Sequence, residues 1–197
     1  LDYSLQGIHF VNLLEEILNE IAIQKKFSLN DNHPNVASYE GRMIANKEII
    51  LVMEKCPGMI MSEAISKNLI QGKQRLSIIR QILEGLKEVH SRKIIHADLS
   101  PSNVMVDPNQ TVVKIIDFGQ SRFLENLIQT TTSPKTSLHY RGPDYALHGA
   151  LTEKYDLWSL GMTILLLYCG ENSFNELTKG HVDLVNKPNE KSDIQKK

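Results

Sequence analysis

Three oxygen-bearing side chains occur in two short segments of this chain, in contexts that suit phosphoryl transfer. Asp98 and Asn103 lie in the segment HADLSPSN, and Asp117 directly follows the predicted strand Val112 to Ile116. Transfer of a phosphoryl group to a hydroxyl requires a carboxylate near the acceptor proton and oxygen ligands for Mg²⁺. We therefore predict that Asp98 accepts the hydroxyl proton and that Asn103 and Asp117 bind the metal.

The same two segments resemble the catalytic loop, H-R-D-L-x-x-x-N, and the metal loop, D-F-G, of eukaryotic protein kinases. This resemblance implies that Asp98 is the catalytic base, Asn103 a metal ligand and Asp117 the main metal ligand, with ATP and Mg²⁺ as cofactors. A lone DFG occurs by chance, whereas HxDLxxxN followed by a strand and DFG is a specific combination. The alternative is that Asp98 and Asn103 only cap turns.

Two downstream segments strengthen the resemblance. SLHYRGPD, which begins at Ser137, is similar to the kinase segment T-x-x-Y-x-A-P-E, with Asp144 in place of the glutamate. DLWSLG, which begins at Asp156, is similar to the start of the central kinase helix, D-x-W-S-x-G. The resemblance implies that Asp156 accepts hydrogen bonds from the catalytic-loop backbone. A plain helix N-cap is the alternative role, and both can hold together.

An upstream segment, LVMEKC, resembles the kinase hinge. The resemblance implies that backbone groups of Glu54 and Cys56 meet the adenine edge, that Met53 guards the back of the pocket, and that Met105 belongs to the same nucleotide site. Glu20 is the best candidate for the glutamate that pairs with the ATP-anchoring lysine of kinases. The alternative for Glu20 is a solvated helix residue.

Hydrophobic periodicity predicts the elements that must position these residues. Helices are predicted over Phe10 to Phe27, Ser77 to Ser91 and, as a buried helix, Asp156 to Tyr168. In the first helix Gln24 stands where kinases usually place an apolar core residue, which favours a shifted register or an unusual packing. Strands are predicted over Ile49 to Met53, Ile94-Ile95, Val104 to Val106 and Val112 to Ile116. Residues 123–138 are expected to form a flexible surface loop.

The predicted fold class is α+β, a protein-kinase-like bilobal fold. Its N-lobe is incomplete, with the regulatory helix and the last strands only, and its C-lobe is mostly helical. We expect the partial N-lobe at residues 1–55, the C-lobe at residues 56–185 and a disordered tail at residues 186–197.

Several features depart from the kinase pattern. The chain contains no G-x-G-x-x-G before the first helix and no V-A-I-K strand, and it begins with Leu1. We therefore expect either a fragment or a degraded kinase, and we predict that this chain alone binds ATP weakly or not at all. Ala97 replaces the arginine that pairs with an activation-loop phosphate in many kinases, so phosphorylation of Thr130 to Ser133 is predicted not to be required.

Three functions are compatible with these observations. The first is a protein serine/threonine kinase, favoured by Ser137 in the substrate-side segment. The second is a catalytically impaired pseudokinase that acts as a binding or scaffold module, favoured by the missing lysine. The third is a small-molecule kinase, disfavoured by the Tyr-x-x-Pro-acid segment and the D-x-W-S-x-G helix, which such enzymes lack.

Composition limits the partners and the compartment. The net charge is −1, so no global basic field attracts nucleic acid or anionic membrane. The longest apolar stretch, Leu157 to Cys169, is too short to span a bilayer. The two cysteines form no CxxC pair, which favours a reducing compartment and an intracellular, cytoplasmic or nuclear location. The expected partners are ATP and a protein substrate, with no nucleic acid and no membrane span.

Overall fold

The computed structural model describes residues 3–28, 32–45, 48–107, 109, 112–126, 137–149 and 151–186, with side chains from residue 14 onward in the first helix. The candidate phosphate acceptors from Thr130 to Ser133 lie outside the described residues, as does the predicted tail from residue 187 onward. None of the described helices is both long enough and apolar enough to cross a membrane.

Helices and short strands alternate along the described chain. The helices are α1 (Tyr3–Gln24), α2 (Met61–Ser66), α3 (Gln74–Ser91), α4 (Pro143–His148) and α5 (Glu153–Val185). The strands are β1 (Tyr39–Ala45), β2 (Glu48–Met53), β3 (Met59–Ile60), β4 (Ile94–Ile95), β5 (Val104–Asp107), β6 (Val112–Ile115) and β7 (Arg122–Phe123). The mixed helix and sheet content, with a mostly helical C-terminal part, confirms the predicted fold class.

Most predicted elements are confirmed, with shifted boundaries. The first helix begins earlier than predicted, at Tyr3, and it ends in a short 3₁₀ turn at Lys25–Phe27. The helix predicted from Asp156 begins at Glu153 and is buried on one face only, because Leu157 and Trp158 are exposed. This long helix also contains a break at Gly170, whose φ of 75° lies outside the helical region.

Within the described residues, the strands form three small antiparallel sheets, β1-β2, β3-β5-β6 and β4-β7. In the β5–β6 hairpin, Val104 pairs with Ile115. This register brings the residue before β5 next to the residues after β6, and the backbone N–H of Ile116 donates to the carbonyl of Asn103 at 3.0 Å. The hairpin therefore places the two predicted chemical segments at the same end of one sheet.

The core lies between α3 and the β3-β5-β6 sheet. On α3, residues Ile78, Ile82, Leu86 and Val89 repeat at helical spacing and are almost fully buried. Burial of each such side chain contributes roughly 1.5–3 kcal/mol to stability. This packing makes the hairpin a rigid support for the loops at its end.

Asn35 attaches the loop after α1 to this core. Its side-chain Nδ2 donates to Gln81 Oε1 at 3.0 Å and to the Val113 carbonyl at 2.9 Å. Its own carbonyl accepts the N–H of Ile115 at 2.9 Å. On the helix side this approach is possible because residue 85 is glycine: a Cβ there would lie 2.6 Å from the Asn35 carbonyl oxygen.

Substitution of Gly85 with Ala is therefore expected to destabilise the protein by about 1–3 kcal/mol, because a backbone atom must move to admit the methyl group. Gly161→Ala on α5 is the matched control, since among the described residues no atom apart from the local backbone of its own helix lies within 4 Å of the added Cβ. The control is expected to be neutral or to stabilise by up to ~1 kcal/mol through helix propensity. Urea unfolding followed by circular dichroism measures both, and equal effects would contradict the close approach at Asn35.

Candidate active site

The Asp98 and Asn103 side chains are joined within the predicted catalytic loop. Asn103 Nδ2 donates to the Asp98 carboxylate Oδ2 and to the Asp98 carbonyl, both at 2.8 Å. These bonds use the amide nitrogen of Asn103, so its Oδ1 atom is the side that can meet a cation. They also fix the Asp98 carboxylate relative to the loop backbone. The catalytic and metal-binding roles of the pair stay predictions.

Asp117 adopts an uncommon backbone conformation. Its φ is 62°, in the left-handed region that non-glycine residues rarely occupy, and its side chain is exposed. The Oδ1 atom accepts the backbone N–H of Gly119 at 3.0 Å. The next residue, Phe118, is fully buried. The buried phenylalanine thus anchors the loop while the aspartate side chain stays outside the core.

Asp156 holds the backbone of the catalytic loop. Its two carboxylate oxygens accept the N–H groups of His96 and Ala97 at 2.8 Å each, and Oδ2 also lies 2.8 Å from His90 Nε2. Asp156 is fully buried, and Ala97 has a φ of 63°. The structure therefore shows the contact with the loop backbone that the resemblance implied.

A cavity of about 420 Å³ lies beside these loops. Its lining combines residues of α1, β2, the segment after β2 and β5 with the start of the metal loop. The lining residues are Glu20, Gln24, Ala37, Leu51, Met53, Glu54, Cys56, Met105, Ile116 and Asp117. Of the predicted site residues, all except Asp98 and Asn103 line this cavity, and Asn103 adjoins it through its bond with Ile116.

Glu54 is fixed by an ion pair that the sequence analysis did not anticipate. Lys114 Nζ on β6 lies 2.6 Å from Glu54 Oε1, and Glu54 Oε2 accepts the N–H of Ser38 at 3.0 Å. Burial alone would raise the pKa of Glu54, but the contacts with Lys114 and Ser38 outweigh it and lower that pKa. The Glu54 N–H donates to the Ser38 carbonyl at 3.0 Å. The Glu54 carbonyl is therefore the backbone group of this residue that can accept a hydrogen bond from a ligand.

The Cys56 thiol, beside Glu54, is expected to be less reactive than an ordinary cysteine thiol. Burial, followed by the charge of Glu54, raises the pKa of Cys56 to about 11. Relative to an ordinary cysteine, this lowers the thiolate fraction at neutral pH by roughly two orders of magnitude. Cys56 would thus meet a ligand through its backbone groups.

Alkylation of Cys56 by iodoacetamide at pH 7.5 is therefore expected to be about 100-fold slower than that of glutathione. The rate should rise about tenfold per pH unit up to the pKa, because the thiolate is the reactive species. Mass spectrometry of the Cys169→Ser variant measures Cys56 alone, and the Cys56→Ser variant is the control for Cys169. A rate at neutral pH equal to that of free thiol would contradict the burial of this group.

Glu20 faces the cavity near the metal loop. Burial, followed by the charge of Asp117, raises the pKa of Glu20. A Cβ built on Gly119 would lie 3.2 Å from Asp117 Oδ1 and 3.7 Å from Glu20 Oε2, so both carboxylates border the same small space. Among the described residues, no ion pair includes Glu20. This end of the cavity is therefore acidic and suited to a cation.

Gln24 shows the unusual packing that its position predicted. It is 2% exposed, and its Oε1 atom has no hydrogen-bond partner. Three residues further on, Phe27 stacks on Phe118, with ring centroids 5.0 Å apart and an interplanar angle of 29°. An unpaired buried acceptor costs about 1–3 kcal/mol. The sequence identifies Gln24 as anomalous, but it gives no indication that Phe27 stacks on Phe118.

The substrate-side segment is attached to α5. Ser159 Oγ donates to the Tyr140 carbonyl at 2.8 Å, and His139 Nδ1 lies 2.9 Å from Thr178 Oγ1. Ser137 and Asp144 are both exposed. Within the described part of the chain, Asp144 forms no ion pair.

Arg122 does not present a surface cation to a loop phosphate. It is 4% exposed, it lies near Glu16 of α1, and burial lowers its pKa. Ala97 is fully buried, with its N–H bound to Asp156. Both observations agree with the prediction that loop phosphorylation is not required, which stays a prediction because the loop sites lie outside the described residues.

The chain is similar to one protein-family model and to several known proteins. The family model described as "Protein kinase domain" matches residues 7–195. The chain is 33% identical over 164 residues to human mitogen-activated protein kinase kinase kinase 5, covering 80% of this chain and 12% of that protein. It is 30% identical over 196 residues to the cyclin-dependent kinase 4 homolog of Caenorhabditis elegans, covering 90% of this chain and 47% of that protein.

A solved structure shows the same fold. A chain in the crystal structure of the yeast RNA Pol II CTD kinase CTDK-1 complex superposes with a TM-score of 0.63 at 24% identity, covering 78% of this chain and 49% of that chain. This chain thus spans less than half the length of each of the three proteins compared.

Proposed function

This chain belongs to the protein kinase domain family, and from that premise we propose that it is a protein serine/threonine kinase that transfers the γ-phosphoryl group of ATP to a protein hydroxyl. The observation that carries the proposal is the pairing of Asn103 with Asp98 at the end of the hairpin from which Asp117 enters the cavity. The serine/threonine class is supported by the mouse serine/threonine-protein kinase Nek5, at 27% identity, and by the serine/threonine-protein kinase PrkC of Bacillus subtilis, at 32% identity.

Asp98 is assigned to the acceptor proton. General-base catalysis requires a carboxylate of fixed orientation within hydrogen-bond reach of the hydroxyl. The two bonds from Asn103 Nδ2 provide that orientation. The Asp156 contacts fix the backbone immediately before it. The hydroxyl of a bound serine or threonine would thus meet a preformed carboxylate.

The donor set fits Mg²⁺ in its usual protein environment. Among the described residues, no cluster of three or more histidine, cysteine or acidic side chains can hold a metal ion. Magnesium typically takes one or two carboxylates plus phosphate oxygens and water, so Asp117 and the Asn103 Oδ1 atom are sufficient when ATP supplies the rest. When bound, Mg²⁺ would neutralise charge on the phosphate oxygens.

The catalytically impaired kinase is the second candidate. The acidic space between Glu20 and Asp117 contains no lysine among the described residues, and the sequence lacks the glycine-rich loop. Such a protein would act as a binding or scaffold module. For either function we also propose a cytoplasmic or nuclear location, which the two free cysteines support.

The deciding experiment is a transfer assay with the full-length protein that contains this chain. Radiolabelled ATP with Mg²⁺ is supplied together with peptide libraries that contain serine, threonine or tyrosine as the sole acceptor. Label on serine or threonine, lost with EDTA and in Asp98→Asn, is expected. Nucleotide binding without transfer would favour the scaffold, and tyrosine labelling alone would contradict the acceptor class. Calorimetry of the 197-residue chain is expected to show no micromolar affinity for Mg-ATP.

A further inference from the structure

Arg92, which follows α3 in the C-lobe, contacts the end of α1. Its guanidinium carbon lies 4.9 Å from the centroid of the Phe27 ring, and Nη1 donates to the Lys26 carbonyl. Glu88 holds the same guanidinium, with Oε1 at 2.6 Å from Nε and 2.5 Å from Nη2. A planar fork with several donors can make all these contacts at once. Arg92 therefore ties the last turn of α1 to the C-lobe.

The Phe27 ring connects Arg92 to the metal loop through a line of ring contacts. Arg92 lies over the Phe27 ring, and Phe27 stacks on Phe118 with ring centroids 5.0 Å apart. Phe118 in turn lies against His96, with ring centroids 5.1 Å apart and an interplanar angle of 57°. Phe27, Phe118 and His96 are each at most 1% exposed. This line of contacts reaches from the surface of the C-lobe to the catalytic loop.

The conformation of Asp117 depends on where Phe118 sits. A non-glycine residue at a φ of 62° is strained, and such strain persists only where the surroundings fix the neighbouring residues. Phe118 is the adjacent residue, and Phe27 holds its ring in the core. If that ring moved, the Asp117 backbone could relax to a negative φ, and its carboxylate would leave the cavity.

The same anchor sets the position of Glu20. Glu20 lies about two turns before Phe27 on α1, so it lies on roughly the same side of the helix. A second contact, from Asn19 Nδ2 to the Ser121 carbonyl at 2.8 Å, joins α1 to the segment after the metal loop. Arg92 and Asn19 therefore hold the helix at two points on either side of the cavity-facing turn.

We propose that Arg92 is a positioning residue for the metal site, acting through Phe27 and Phe118 to hold Asp117 in its cavity-facing conformation. Arg92 is not among the residues that line the cavity. The expected effect on magnesium binding rests on the proposed function. The effect of Arg92 on the order of the metal loop does not depend on it.

Three variants separate this role from a general contribution to stability. Arg92→Met keeps the aliphatic stem and removes the cation and the donors. Arg92→Lys keeps the cation but lacks the fork that reaches Glu88 and the Lys26 carbonyl together. Arg75→Met is the matched control, because the Arg75 guanidinium lies 5.3 Å from the Tyr168 ring, at the other end of α3.

The first measurement is amide hydrogen exchange of the 197-residue chain. The N–H of Gly119 donates to Asp117 Oδ1 and that of Ser121 to the Phe118 carbonyl, so these two amides report on the loop. Arg92→Met is expected to raise exchange at Gly119 and Ser121 about tenfold, Arg92→Lys to raise it less, and Arg75→Met to leave it unchanged. Amides of the β5–β6 hairpin should keep their protection in all three. Unchanged exchange at Gly119 and Ser121, or an equal rise throughout the hairpin, would overturn the proposal. If Arg92→Met does not fold, Arg92→Lys carries the same test.

The second measurement is nucleotide affinity of the full-length protein, with Mg²⁺ and in EDTA. Arg92→Met is expected to weaken binding about five- to tenfold only when Mg²⁺ is present, since Asp117 is the group displaced. Equal weakening in EDTA would overturn the link to the metal site. If the unmodified protein binds no nucleotide, the proposed function fails, while the exchange experiment still decides whether Arg92 orders the metal loop.

Discussion

Replacing Asp117 with Ala is expected to abolish magnesium-dependent phosphoryl transfer in the full-length protein, with a loss of at least ~10³-fold. Asp117 is the carboxylate at the acidic end of the cavity that suits a cation, and its neighbour Glu20 already has a raised pKa from burial and from this charge. Removal of Asp117 leaves Asn103 as the remaining assigned ligand, which is insufficient for a metal held by so few protein oxygens.

Asp98→Asn, in the catalytic loop, is expected to lower turnover without lowering the affinity for Mg-ATP. Turnover should fall by roughly 10²–10⁴-fold, the usual contribution of a general base, while Mg-ATP affinity stays within about twofold. Steady-state kinetics and calorimetry on both variants measure the two effects. Asp183→Asn, an exposed position on α5, is the control and should change neither. Equal loss of ATP binding in Asp98→Asn and Asp117→Ala would contradict the division of roles.

The chemical segments were predictable because their geometry is local. HADLSPSN fixes the spacing of Asp98 and Asn103 along one loop, and a short strand before DFG fixes where Asp117 begins. The antiparallel pairing of Val104 with Ile115 then brings the two together, as expected for strands joined by a short connection. The resemblance to kinases supplied the roles, and the geometry is compatible with them.

Contacts between distant segments could not be read from the pattern. Lys114 interrupts the otherwise apolar strand VVKI, but nothing local indicates that its partner is Glu54. Phe27 was counted among the apolar positions of the first helix, yet its stacking on Phe118 depends on how the whole helix sits on the C-lobe. Such pairings are decided by tertiary packing, on which helical periodicity carries no information.

Weakly patterned elements were missed for a related reason. The strand β1, YEGRMIA, lacks alternation, contains a glycine, and leaves Met43 and Ile44 exposed at 53% and 73%. Its conformation is set by the ladder with β2 rather than by burial of one face. The continuation of α5 beyond Gly170 was also missed, because a glycine at a φ of 75° normally ends a helix.

Asp156→Ala is expected to have the largest effect on stability, a loss of about 3–5 kcal/mol. The carboxylate is fully buried and satisfies the N–H groups of His96 and Ala97 together with His90. Its removal takes away the acceptor that these groups share at a buried position, and each buried group left unsatisfied costs about 1–3 kcal/mol. The positive φ of Ala97 would also lose its support.

Urea unfolding of the 197-residue chain measures this loss, with Asp183→Ala as the exposed control expected to stay within ~0.5 kcal/mol. Asp156→Asn adds a second comparison, because the amide oxygen can accept one loop N–H while its NH₂ group opposes the other. It should therefore also destabilise the chain, by less than Ala. A loss below about 1 kcal/mol for Asp156→Ala would show that water or another group satisfies the loop. In that case the backbone before Asp98 would not depend on α5 for its conformation.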